Sequence, residues 1–233
     1  MSLKRVSRTE QFLKIGISGP SGSGKTYSSL RLAHGLMGSF EHVAVLDTEG
    51  GSASLYSDLG DYMTQEMKEP FGPDRYVKAI EFFQKEGVKC MIIDSASHEW
   101  DGPGGCLDIH QRLGGKFPDW AKVTPMHKAF VEAINKAQMH VITTTRRKQD
   151  YVLEENSKGK MQPKKVGLKE VQRDGFEYEL TVSFDVDISH YAQVSKDRTS
   201  IFKSDHPFLI TEKVGVALRE WNSGKKASEI EYE

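Results

Sequence analysis

Gly19-Pro20-Ser21-Gly22-Ser23-Gly24-Lys25-Thr26 has the spacing G-x-x-x-x-G-K-[ST], and every residue type in it suits phosphate capture. The glycines let successive backbone N–H groups turn inward around phosphate oxygens. A helix that follows presents its unpaired N-terminal donors and the positive end of its dipole. Lys25 can reach the β- and γ-phosphates, the Thr26 hydroxyl is a magnesium ligand, and Tyr27 comes next on the same helix. The expected ligands are therefore ATP and Mg2+. Asp94 ends the apolar run Met91-Ile92-Ile93, where a carboxylate can hold the water shell of the magnesium beside the loop. Ser95 follows it, where many P-loop ATPases place a water-activating glutamate, so a base must come from elsewhere or hydrolysis is slow. Glu49, in Leu46-Asp47-Thr48-Glu49-Gly50-Gly51, is the best candidate, because parallel α/β sheets place their ligands at the carboxyl edge that follows such a strand. A carboxylate there can polarise the water that attacks the γ-phosphate. Glu99 is the rival, and the alternative for either acid, more so for Glu99, is a solvated loop residue.

The elements that must position these residues follow from apolar periodicity. Strands are expected over residues 11–18, His42 to Asp47, Val88 to Asp94 and His140 to Thr145. Helices are expected from Lys25 onward, with Leu30, Ala33, His34 and Met37 at one-face spacing, and over Arg75 to Lys85. A third helix opens at Thr124-Pro125, read as an N-cap followed by proline at the first helical position. Strand and helix in alternation imply a parallel sheet with helical crossovers. Tyr178, Leu180, Val182, Phe184, Val186 and Ile188 then alternate with polar residues, which predicts a strand in antiparallel structure with one solvated face. A last amphipathic helix carries Val214, Ala217, Leu218 and Trp221. The expected fold class is α/β, a mainly parallel sheet flanked by helices with a C-terminal antiparallel extension. It forms one domain over residues 1–233: a core over about 10–145, a basic loop or hairpin over about 146–175, the extension and last helix over about 176–224, and a short acidic tail over 225–233.

Composition narrows the function classes. At 233 residues one substantial domain is expected, and the net charge of 32 − 33 = −1 excludes a uniformly basic nucleic-acid coat. No apolar run is long enough for a membrane span, and Cys90 and Cys106 form no CxxC pair, so neither a disulfide framework nor a four-cysteine zinc site is expected. A reducing cytoplasm is the expected setting. His98-Glu99-Trp100-Asp101 lacks metal-ligand spacing such as H-E-x-x-H, and Trp100 and Trp120 read as packing residues.

The phosphate loop, Asp-Thr-Glu after the second strand, and Ile-Ile-Asp-Ser in place of an Asp-Glu pair together resemble the RecA-type ATPase core. More narrowly, GPSGSGKTYSSLRLA, IIDSASHEW, VITTTRRKQDYV, KKVGLKEVQRDGFEYEL and VSKDRT are similar to small phage-encoded RecA-like ATPases of the "AAA domain" kind, over residues 12 to 222. The resemblance implies a RecA-like P-loop NTPase with Glu49 as base, and a bacterial or phage-infected cell as the setting. It also implies an oligomer, ring or filament, that acts on single-stranded DNA in recombination, annealing or replication. Thr145 or Arg146 matches the position that senses the γ-phosphate. Lys196 and Arg198 look like the K-x-R pair that reaches a neighbouring subunit's γ-phosphate, where cations stabilise the charge of the transferring group.

Lys158, Lys160, Lys164 and Lys165 form a run without acids, and from Arg146 to Asp174 nine basic residues stand against five acidic, or +4. Such a segment can follow a phosphate backbone by counterion release, although it lacks interleaved aromatics for base stacking. It can also be an ordinary solvated loop, or close over the nucleotide. Two other functions fit the phosphate loop: a P-loop kinase for a small molecule, and a non-catalytic binding module switched by ATP.

Overall fold

The computed structural model describes residues 11–155 and 161–232. β1 (Lys14–Gly19) enters the glycine-rich turn and α1 (Lys25–Met37) leaves it; β2 (Val43–Asp47), a 3-10 turn over Ser52–Leu59 and β3 (Met63–Glu66) follow. α2 (Pro73–Lys85) leads to β4 (Cys90–Asp94), and α3 (Ser97–Asp101), α4 (Cys106–Arg112) and α5 (Trp120–Lys136) lead to β5 (His140–Glu155). After β6 (Met161–Glu170) and a 3-10 turn over Phe176–Glu179 come β7 (Val182–Val186), β8 (Tyr191–Asp197), β9 (Phe208–Leu209) and α6 (Glu212–Asn222).

The sheet order is β3-β2-β4-β5-β1-β7-β8-β9, with β6 paired to β5 off this path. The strands from β3 to β7 in this order run parallel, and β8 and β9 are antiparallel. Parallel strands need helical crossovers and cover on both faces, which is why β1, β2 and β4 are buried throughout. One face packs Ile15, Ile17 and Phe184 against Leu30, Leu36 and Leu218 of α1 and α6. The other packs Ile93 and Val141 against Tyr76, Phe83 and Phe130 of α2 and α5. α2 shows how the sequence dictates this: Pro73 sits in its first turn, and Tyr76, Ala79, Ile80 and Phe83 form the buried stripe. α1 and α6 touch backbone to backbone. A Cβ on Gly35 would stand 1.9 Å from Glu212 O, and one on Gly215 would stand 2.2 Å from Leu32 O.

Three expectations need correction. α5 begins at Trp120, not at Thr124-Pro125, so Pro125 lies inside the helix. The start lies upstream because Lys116 N donates to Asp119 Oδ2 at 3.0 Å and closes a turn that feeds the helix from its N-terminal side. The long alternation shrinks to Val182–Val186, with Tyr178 at 69% and Ile188 at 75% exposure lying outside the strand. That strand also extends the parallel sheet by pairing with β1, so the antiparallel part begins only at β8. Finally, β5 does not stop at Thr145. It runs on past the sheet and pairs with β6 as an antiparallel hairpin, the alternative to a loop for this segment. Lys164 and Lys165 fall in β6, opposite Val152 and Tyr151; Lys158, Lys160, residues 1–10 and Glu233 lie outside the described residues. β3, α3 and α4 had no expectation, being short and without a clear period.

Candidate active site

Parallel order puts the carboxyl ends of β1, β2, β4 and β5 on one edge, and the loops that leave them converge there. The phosphate loop links β1 to α1 through Gly24, whose φ of 82° is the left-handed conformation glycine adopts without strain. Lys25 Nζ donates to Pro20 O at 2.8 Å, which lays the ammonium over the loop. Burial pulls the Lys25 ammonium below its ordinary value, against the pull of Asp94 and Glu49. Ser23 Oγ is fully enclosed and makes no hydrogen bond among the described residues, an unsatisfied donor inside the phosphate loop.

Asp94 is 2% exposed. Its Oδ2 accepts from Thr26 Oγ1 at 2.5 Å and its Oδ1 from Thr144 Oγ1 at 2.5 Å. Burial raises the Asp94 carboxyl above its ordinary value, although both hydroxyls oppose the shift. Thr26 and Asp94 thus present a hydroxyl and a carboxylate side by side, a hard oxygen pair of the kind magnesium takes. With the unsatisfied Ser23 hydroxyl, the residues present fit a magnesium–nucleotide complex.

Glu49 stands across the same cavity, in a turn held by Asp47, whose carboxylate accepts from Glu49 N at 2.7 Å and from Ala53 N at 2.8 Å. Arg146 clasps Glu49 with both ends of its fork: Nε donates to Oε1 at 3.0 Å, and Nη2 donates to Oε2. Burial pushes the Glu49 carboxyl up, but hydrogen bonds from Arg146 and Ser95 outweigh it and leave the group below its ordinary value. Thr145 points elsewhere: its hydroxyl donates to Glu170 Oε1 at 2.5 Å, and only Arg146 of the two lines the cavity. Glu99 does not line it either.

Two contributors had not been singled out in the sequence. Asp47 fixes the Glu49 turn, a role its Asp-x-Glu spacing could have signalled, since aspartate side chains cap amides two residues on. Thr48 knits the second and fourth strands: its hydroxyl accepts from Ser95 N at 2.8 Å and meets His98 Nδ1 at 2.8 Å. His98 is half-buried; the sequence raised it only within a run considered for metal binding, and no local pattern ties it to Thr48.

The cavity, about 950 Å³, continues beyond the phosphate loop to Tyr27, Arg31, Tyr56 and His190. The Tyr27 and Tyr56 rings lie 5.6 Å apart, and Arg31 lies 5.6 Å from the Tyr27 centroid while it pairs with Glu212. Two partly exposed rings at this end can stack a planar base.

Lys196 and Arg198 are not brought to this cavity. Lys196 Nζ donates to Glu177 O and Tyr178 O, each at 2.6 Å, and Arg198 Nη2 donates to Tyr178 O at 2.6 Å. A second concavity, about 990 Å³, lies at the foot of the β5–β6 hairpin between Trp100, Phe117, Trp120, Lys128, Lys148 and Arg173. Trp100 and Trp120 stack at 5.6 Å, Arg173 lies 5.9 Å from the Trp120 centroid, and Phe117 is 88% exposed. The two tryptophans are therefore half-exposed walls of a groove as well as packing residues.

The sequence model of the AAA domain family matches residues 11–213, and the chain belongs to that family. It is a P-loop ATPase core of the AAA type, and its mostly parallel sheet is that of a RecA-like fold. No curated protein matches the chain. Among the described residues no helix is long and apolar enough to cross a membrane.

Proposed function

We propose that the protein is a magnesium-dependent ATPase that acts on single-stranded DNA, as a homo-oligomer, in recombination, annealing or replication. The observation that carries the hydrolytic reading is that Lys25, Thr26, Asp94, Glu49 and Arg146 all border one cavity. Lys25 and the loop amides would hold the β- and γ-phosphates, and Thr26 with Asp94 would hold the magnesium. Magnesium, when bound there, would neutralise charge on the phosphate oxygens. Glu49 would orient and deprotonate the attacking water once Arg146 turns from it to the γ-phosphate. Before that exchange the Arg146 fork occupies both Glu49 oxygens, so hydrolysis waits for a triphosphate in place. Lys196 and Arg198, which do not border their own chain's cavity, would serve a neighbour's phosphates.

The DNA part of the reading rests on the second groove. The lysine-bearing hairpin has Tyr151 as its one aromatic residue, and Phe117 and the tryptophan pair stand at its foot beside Lys128, Lys148 and Arg173. Cations that track a backbone and rings that take bases are the two parts of a sequence-tolerant single-strand site.

ATP turnover measured with and without single-stranded DNA, beside Glu49→Gln and Phe117→Ala, tests both parts. DNA should raise turnover, Glu49→Gln should lower it about 100-fold or more, and Phe117→Ala should weaken DNA binding while leaving DNA-free turnover intact. ATP binding with no turnover under any condition would instead favour a switch module. Phosphate passed from ATP to a small acceptor would favour a kinase.

A further inference from the structure

Away from the nucleotide cavity, the geometry points to a second metal site: Glu99, Cys106 and His127 form a buried cage for one zinc-like divalent ion. Glu99 and Cys106 are 0% exposed and His127 is 5% exposed. Cys106 Sγ lies 3.1 Å from Glu99 Oε1, and His127 Nδ1 lies 3.1 Å and 3.2 Å from the two carboxylate oxygens. One ligand atom from each residue falls within 4.8 Å of the others.

Thiolate, imidazole and carboxylate together are a zinc donor set. Bonds of about 2.0–2.3 Å at tetrahedral angles space such atoms roughly 3.3–3.5 Å apart. The observed separations need only a small outward adjustment to reach that spacing. Charge favours the ion as well. Among the described residues, the groups that hydrogen-bond the Glu99 carboxylate are the Cys106 thiol, the His127 ring and the Gln172 amide at 3.4 Å, and none of them is a lysine or arginine. A fully buried carboxylate calls for a paired charge or a metal. A divalent cation with one carboxylate and one thiolate sums to zero, the cheapest charge state to bury. Zinc takes cysteine as the thiolate, so uptake at Cys106 would release the thiol proton.

The placement explains what the ion would do. The three ligands come from α3, α4 and α5, and Cys106 is the only buried residue of α4. α3 and α4, of five and seven residues, have little apolar surface with which to anchor themselves, so a metal staple to the longer α5 stands in for a core. Gln172 Nε2 donates to Ala96 O at 3.0 Å and leans on Glu99 Oε2, an outer partner that orients the carboxylate. It also links the cage to the segment that leaves β6.

The test is metal analysis of purified protein without nucleotide, which keeps it independent of the ATPase reading. Elemental analysis should find about one zinc per chain, retained through gel filtration or regained when stripped protein meets stoichiometric zinc. Cobalt in its place should give a thiolate-to-cobalt charge-transfer band. Chelation should lower the Tm by about 5 °C or more. Cys106→Ser preserves the hydrogen bond to Glu99 but is a poor zinc ligand, so it should lose the cobalt band and the chelator effect while remaining folded. Stripped protein that takes up neither ion, or a serine variant that binds as much as the parent, would overturn the site. The trio would then be a hydrogen-bonded thiol, carboxylate and imidazole.

Discussion

At the residue scale, the pairing of Glu49 with Arg146 is the most consequential contact, because it joins the candidate base to the candidate phosphate sensor. Arg146 holds the folded-state Glu49 carboxyl below its ordinary value, against burial. The stabilisation this gives is full above the ordinary carboxylate range near 4.5 and is lost as pH falls through the lower folded-state value. Arg146→Gln should therefore cost stability near neutral pH, roughly 1 kcal/mol once solvent screening of the partly exposed arginine is allowed for. The difference from the parent should vanish in acid, where both carry a protonated Glu49. Denaturant titrations from neutral pH down through the carboxylate range read this directly, and a difference that persists unchanged once Glu49 is protonated would contradict it. Asp94 shifts the opposite way because two hydroxyls cannot replace the water it has lost. A buried carboxylate that favours its proton is one that gains from a cation beside it.

At the element scale, the crossing of α1 and α6 decides how firmly the phosphate loop is seated, since α1 begins at Lys25. Gly35 and Gly215 let the two backbones meet, and no side-chain motion relieves a methyl placed against the Glu212 carbonyl. Gly35→Ala should destabilise the protein by about 1–3 kcal/mol, read as a lowered Tm. It should also weaken nucleotide affinity, because α1 must shift. Equal stability and affinity would mean the helices can part at no cost. The β5–β6 hairpin belongs to the same scale. β5 contributes Arg146 to the cavity and then continues outward, so a ligand at the hairpin foot and a nucleotide at the sheet edge share one strand.

At the scale of the whole molecule, one chain supplies a phosphate loop, a candidate magnesium pair and a candidate base, but its Lys196 and Arg198 are engaged by carbonyls of the 176–179 turn. If those cations complete a neighbour's site, turnover per chain should climb with protein concentration as copies assemble. Mixing an Arg198→Ala chain with a Lys25→Ala chain should then restore part of the activity that each lacks alone. Turnover per chain that is flat across a dilution series, with no recovery on mixing, would confine both residues to holding the turn.

Much of this was legible in the chain, for a local reason. A phosphate loop is eight consecutive residues, Asp94 closes a short apolar strand and Glu49 lies two residues past another, so spacing alone marks them as candidates. The alternation from Leu180 to Val186 likewise marked β7, but the same pattern in Tyr178 and Ile188 was not followed by burial. Pairing partners end a strand, and the sequence does not record them: β7 stops where β1 does. For the same reason the parallel pairing of β7, the continuation of β5 into a hairpin and the true start of α5 emerged only from the fold. The Arg146 fork on Glu49, the rings gathered at the foot of the hairpin, and the Glu99–Cys106–His127 cage join residues far apart in the chain. The sequence by itself determined the nucleotide-binding class, because that chemistry is held by contiguous backbone. The tertiary structure alone decided which distant side chains stand beside it, because contacts between separate elements depend on how their apolar faces pack.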